Sequence, residues 1–177
     1  MKEQKASIME NTITPNVELA SIEQARTELT GKTLVMPVLA VSTARTPSGN
    51  PIYLKAENLQ PGGSFKIRGA TYCLSLLTES QRAAGVIAYS TGNHAQAVAL
   101  ASKQLGIHAT IVMSPDAPSL KVEATQRYGA TVVMAEASSQ ARRKLAEHLA
   151  ITQGLYLVPP YDNLDVMQAR ARSDWSC

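Results

Sequence analysis

The chain has 177 residues, 45% hydrophobic and 18% charged, a composition typical of a soluble globular protein with a real core. Its net charge of +3 is too small and too scattered for a nucleic-acid footprint, and apolar runs such as GVIAY and ATIVM fall far short of a membrane span. Two cysteines, Cys73 and Cys177, make neither a disulfide framework nor a metal cluster, and the polar N-terminus has no signal-peptide core, so a cytoplasmic location is expected.

Residues 1–20 read as a loose leader. SIEQARTELTG then predicts a helix, with Ser21 as its cap, Gln24 completing a capping box and Gly31 as its stop. The segment MPVLAVSTARTPSGNP is turn-rich and leads into a short strand, IYLKAEN. Beyond a glycine turn, KIRGATYCLSLLTE predicts a helix over 66–79 with Ile67, Ala70, Leu74 and Leu77 along one side. From there the chain alternates. A strand at 86–90 leads to a helix at 93–105 closed by Gly106, and a strand at 108–113 to a helix near 118–128 closed by Gly129. A strand at 131–135 leads to a helix near 138–152 closed by Gly154, and LYLV follows. Short apolar strands alternating with amphipathic helices predict an α/β fold built on a doubly wound parallel sheet. Pro118 and Ser119 are expected to open their helix, and Met36, Met113 and Met134 to fill core. Arg142, Arg143 and Lys144, with Glu147, read as a solvated helix face.

Several familiar signatures are missing. No G-x-G-x-x-G follows a strand, GGSFK is too short for a phosphate-binding P-loop, and no G-x-S-x-G elbow occurs. Two stretches could still carry chemistry. In PGGSFKIRGA, Lys66 stands at the head of a predicted helix, where the dipole disfavours a cation. It reads either as an exposed lysine after a loop or as an amine kept neutral enough to form a Schiff base with an aldehyde. Gly62 and Gly63 would permit close backbone approach, and Phe65 could pack beside a flat ring. In STGNHAQA, the strand ends at Ser90, Thr91 and Gly92 turn, and Asn93 or His94 begins a helix. That aims backbone N–H groups at one point, as a carboxylate or phosphate site does; an Asn N-cap beside a turn glycine reads equally well. His94 alone reads as a structural hydrogen-bonding residue.

Taken together, LKAENLQPGGSFKIRGA and STGNHAQAVALASKQLGIHATIVMSPDAP resemble the fold-type II pyridoxal-phosphate enzymes, tryptophan synthase β-like in fold. Within that family the chain is most similar to the threonine/serine ammonia-lyases (dehydratases), serine racemases and hydroxyectoine-utilisation dehydratases. SLKVEATQRYGATVV and VPPYDN extend the resemblance, so that it covers roughly residues 18–168. Ile67 after the lysine is similar to the dehydratase and racemase branch, since relatives that make cysteine or threonine typically carry aspartate there. The resemblance implies pyridoxal 5'-phosphate as cofactor, Lys66 as its Schiff-base lysine and general base, Phe65 near its ring, and Asn93 on its ring hydroxyl. It also implies a substrate carboxylate held by Ser90, Thr91, Gly92, Asn93 and His94. The implied reaction is β-elimination from a hydroxy-amino acid, threonine or serine, to a 2-oxo acid and ammonia. Racemases of this family carry a serine where Thr91 stands here, and the extra methyl and stiff χ1 favour the lyase over a racemase.

The same resemblance sets expectations for domains. Residues 21–80 correspond to the opening of a larger cofactor domain, 81–158 to a smaller α/β domain, and 159–168 to the return toward the larger one. The phosphate-gripping loop and the partner of the ring nitrogen are expected beyond residue 177, so the 177 residues alone are expected to lack lyase activity. After YDNLDVMQ the family continues with something close to GQGTIGLEL, whereas this chain reads ARARSDWSC. One coding string for the family text, with a single G deleted, translates into that very ending, so residues 169–177 are expected to be a frameshift tail. A reading of another class is a non-catalytic regulatory or interaction fragment, which would show no visible cofactor absorbance. Full-length relatives are expected to be homo-oligomers.

Overall fold

Residues 86–157 build a parallel four-stranded sheet, and a helix from the upstream segment packs on one of the helices that cover it. In the computed structural model, which describes residues 18–160 and 164–171, the sheet consists of β3 (Val86–Tyr89), β4 (Ala109–Met113), β5 (Thr131–Met134) and β6 (Tyr156–Leu157). The order is β5-β4-β3-β6, and every neighbouring pair is parallel. The intervening helices are α4 (Asn93–Leu105), α5 (Ser119–Arg127) and α6 (Ser139–Gln153). These elements follow the predicted alternation within one or two residues, because each helix ends against a glycine whose positive φ breaks it.

Side-chain alternation along the strands divides the core into two layers. Val86, Ala88, Ile111 and Met113 face α4 together with Val98 and Ala101, while Ile87 and Val112 face α6 around Ala146. Met134 does not join them. At 50% exposure on the edge strand β5 it corrects the expectation that all three methionines fill core; Met36 and Met113 do. On α6 the basic cluster is a surface feature, and Arg143 Nε meets Glu147 Oε1 at 2.7 Å one turn on.

Upstream, the structure departs from expectation in three places. Helix α1 (Leu19–Leu29) begins earlier than predicted, with Glu18 at the cap position, so Ser21 lies inside the helix and closes no capping box. The turn-rich segment contains β1 (Val38–Arg45), which pairs antiparallel with β2 (Pro51–Lys55) across a turn held by Thr46 and Asn50. The predicted helix over 66–79 divides into α2 (Lys66–Ser75) and α3 (Glu79–Ala84). Thr78 breaks it by forming a capping box: its Oγ1 accepts from Gln81 N at 3.3 Å, and Gln81 Oε1 accepts from Thr78 N at 2.9 Å.

Helix α2 packs on α4, and α7 (Leu164–Ala171) packs on α2 and α1. Val166 enters the main core, and Ala169, the first residue of the expected tail, is buried with Ala25, Leu29 and Tyr72. Of the predicted leader over 1–20, residues 1–17 lie outside the described residues and Leu19 and Ala20 already belong to α1; the YDN of VPPYDN and the last residues, 172–177, also lie outside the described residues. Among the described residues no helix is long and apolar enough to cross a membrane.

Candidate active site

Lys66 is the first residue of α2, and what precedes it is a tight, anchored loop. Gln60 is buried and holds the linker after α1 by a two-way clasp: its Nε2 donates to Leu34 O at 2.7 Å, and its Oε1 accepts from Leu34 N at 3.1 Å. Gly62 and Gly63 then take φ values of 79° and 74°, which only glycine adopts without strain, and Gly63 N closes the turn on Gln60 O at 2.8 Å. A Cβ at Gly62 would already touch Leu100 Cδ2 at 3.5 Å, so the loop lies directly against α4. Phe65 holds the cap position of α2 without a side-chain cap, and no acidic residue occupies the first turn. The half-buried ammonium of Lys66 therefore meets the positive end of the helix dipole, 5.4 Å from the centroid of the exposed Phe65 ring. Two residues on, Arg68 is buried in a network with Glu57, Thr33 Oγ1 and Leu34 O that fixes the helix to the 3₁₀ turn Glu57–Leu59 and to the α1–β1 linker.

The second stretch lies at the C-terminal end of β3. From β3 the chain runs outward to β4 and β5 with α4 and α5 between, then crosses under α6 to place β6 on β3's other side. The order reverses at β3, and the crevice beyond the strand ends at such a reversal is where open α/β sheets bind ligands. Ser90 continues the ladder by donating its N–H to Val112 O at 3.0 Å, and its Oγ accepts from Gly92 N at 3.2 Å. Ser90 thus shapes the turn with its own hydroxyl. Gly92 is the cap residue of α4 and supplies no side-chain cap. Asn93 is the first helical residue and exposed, His94 is buried, and Ser90, Thr91 and Gly92 are half-buried.

Phe65 and Lys66 thus stand at the head of one helix and Ser90–His94 at the head of another, and the two helices pack together. An aromatic aldehyde suits these groups: an amine to bind it, an exposed aromatic face beside that amine, an amide to serve a ring substituent, and an uncapped helix head for an anion. The sequence did not disclose one participant. Lys121, in the first turn of α5, donates to Asn93 Oδ1 at 2.7 Å and to Gln96 Oε1 at 3.0 Å. The available signal was the three-residue spacing of Asn93 and Gln96, which puts both amides on one face of α4, beside the helix that follows the next strand.

Comparison with known proteins gives the family. Residues 27–173 match the family described as Pyridoxal-phosphate dependent enzyme. An L-threo-3-hydroxyaspartate ammonia-lyase from a Pseudomonas species is 48% identical over 131 residues, covering 74% of this chain and 41% of the relative. The L-threonine dehydratase catabolic TdcB of Staphylococcus aureus is 43% identical over 154 residues, covering 85% and 44%. Among solved structures, maize serine racemase superposes with a TM-score of 0.84 at 31% identity, covering 89% of this chain and 48% of its own. The chain thus spans less than half the length of these proteins.

Proposed function

The chain belongs to the pyridoxal-phosphate dependent enzyme family, and from that premise we propose that it carries the lysine-bearing part of an ammonia-lyase site. The reaction is β-elimination from a hydroxy-amino acid such as threonine or serine, giving a 2-oxo acid and ammonia. One observation carries the proposal: Lys66 heads a helix that has no acidic first turn and no side-chain cap, and that helix packs on the one headed by Ser90–His94.

Each residue then has a task. The Lys66 amine would hold the cofactor's aldehyde group and would take the proton from Cα of the substrate as general base. Pyridoxal 5'-phosphate, when bound, supplies an electron sink for the pair left at Cα. Phe65 would cover one side of the ring and Asn93 would serve the ring hydroxyl. The turn from Ser90 to His94 holds the substrate carboxylate, with the α4 dipole favouring that charge. Residues 81–158 are proposed as a smaller domain, supported by a sheet covered on both faces within that span. The working assembly is proposed to be homo-oligomeric, on the resemblance alone.

Racemisation is the second reading, favoured by the likeness to maize serine racemase. Thr91 weighs against it, because its β-branched side chain is a stiffer proton carrier than the serine expected there.

The test is chemical trapping. The protein is incubated with pyridoxal 5'-phosphate, reduced with borohydride and mapped by mass spectrometry. The adduct is expected at Lys66 and lost in Lys66→Ala. A label spread over exposed lysines such as Lys144, or no label, would overturn the proposal and leave the non-catalytic reading. In a protein extended by the expected phosphate-gripping loop, release of a 2-oxo acid from threonine or serine, scored against D-serine formed from L-serine, would separate lyase from racemase.

A further inference from the structure

The Lys121 ammonium occupies an electrostatically awkward place. It stands at the N-terminal turn of α4, where the dipole disfavours a cation, so its hydrogen bonds to Asn93 Oδ1 (2.7 Å) and Gln96 Oε1 (3.0 Å) must hold it there. Those bonds have a directional consequence. An ammonium has three donors and no acceptor, whereas a carboxamide has one accepting end and one donating end. Lys121 can therefore meet only the oxygen of each amide. With both oxygens turned to α5, the N–H₂ ends of Asn93 and Gln96 are committed to other directions. Gln96 is buried, so this contact also satisfies an oxygen that would be costly to leave alone. Asn93 is exposed, and without Lys121 its amide would be free to turn either way.

We propose that Lys121 is a positioning residue that fixes the amide of Asn93, its oxygen held by α5 and its N–H₂ left to donate to the ring hydroxyl of the cofactor. The inference rests on the role given to Asn93 above. A donor at that ring oxygen stabilises its anionic form; an amide oxygen in the same place would accept the hydroxyl proton and stabilise the neutral form. A charge on α5, which touches no ring atom in this scheme, thereby sets the protonation of the ring through the orientation of one amide.

Charge reversal tests it. The carboxylate of Lys121→Glu can only accept, so it draws the N–H₂ end of Asn93 toward α5 and turns the amide over, whereas Lys121→Arg keeps a donor in place. In ¹⁵N NMR spectra of the whole chain without cofactor, the side-chain amide signals of Asn93 and Gln96 are expected to move in Lys121→Glu and to stay near wild type in Lys121→Arg. Backbone amides from Ala97 onward should hold still in both, which shows that α4 remains folded. With pyridoxal 5'-phosphate added, Lys121→Glu is expected to lose the long-wavelength absorption of the anionic ring in favour of the short-wavelength band, and Lys121→Arg to retain it. Unmoved side-chain amides in Lys121→Glu overturn the proposal whatever the cofactor does. Moved amides with unchanged absorption overturn its extension to the ring. Failure of the cofactor reading appears separately, as absence of the Lys66 adduct in the wild-type chain, and the amide signals then decide the clamp alone.

Discussion

Arg68 grips Glu57 with two nitrogens: Nη2 lies 2.9 Å from Oε1 and Nε 3.1 Å from Oε2, on side chains only 7% and 13% exposed. The pair ties α2, two residues past Lys66, to the turn after β2. Burying two charges costs about as much as their attraction returns, so the pair fixes position more than it adds stability.

That balance predicts an asymmetry. Glu57→Leu leaves a buried guanidinium without its counter-charge, held by Thr33 Oγ1 and Leu34 O, and should lose about 3–5 kcal/mol in urea denaturation. Arg68→Met combined with Glu57→Leu should recover most of the loss. If the double variant loses as much as the two single losses added, the pair is not coupled as described.

Thr78→Ala should cost roughly 1 kcal/mol, because it removes the side-chain acceptor for Gln81 N and the cap of α3. A thermal melt reads this directly. No loss would mean that the break between α2 and α3 does not depend on the capping box.

Gly85 has φ 92° and ψ 175°, and an added Cβ would stand 3.0 Å from His108 O. Gly85→Ala is strained in both respects, and should lose on the order of 1–3 kcal/mol. His108 O also accepts from Val86 N at 2.9 Å, so the carbonyl cannot easily give way. A neutral variant would show that it does.

Thr71 is 1% exposed and its Oγ1 has no hydrogen-bond partner, although the residue borders a cavity of about 280 Å³ lined also by Gly31, Lys32, Gln104 and Leu105. Thr71→Val keeps the shape and removes the orphaned hydroxyl, so stability should rise by up to about 1 kcal/mol. A loss would mean that a water in the cavity completes the hydroxyl's bonding.

Lys66→Ala should shift stability by no more than about 1 kcal/mol, since the disfavoured place of a cation at a helix head is set against its contact with the Phe65 ring. Together with loss of the borohydride-trapped adduct, this is the signature of a residue kept for chemistry. Marked destabilisation would assign Lys66 a structural task instead.

The regularity of 86–154 was legible because each element there carries its own boundary. Apolar strand runs and glycine stops such as Gly106 and Gly154 act within a few residues, and the structure follows them. β1 was hidden because VLAVSTAR sits among Ser, Thr and Pro, and only its pairing with β2 makes it a strand. The break at Thr78 was in plain view as a Thr-x-x-Gln box, overridden by the apolar stripe that runs past it. At the site, Lys66 and Asn93 announced themselves by standing behind glycine turns. Lys121 could not, since its partners are far away in sequence and meet it only because α4 and α5 lie side by side.

The seating of β6 on β3 has a consequence in time as well as in space. β6 has two residues, and Val158 N donates to Ile87 O at 2.8 Å only after α4, β4, α5, β5 and α6 have intervened. Closing so long a stretch of chain carries an entropic cost that local contacts do not. The edge of β3 beside β6 is thus among the last parts of the sheet to be paired as the chain folds, and until then the strand that leads into Ser90–His94 stands unpaired along that side. Pulse-labelled hydrogen exchange should find Val158 N–H protected later than Val112 and Met113, whose strand is already held between two neighbours.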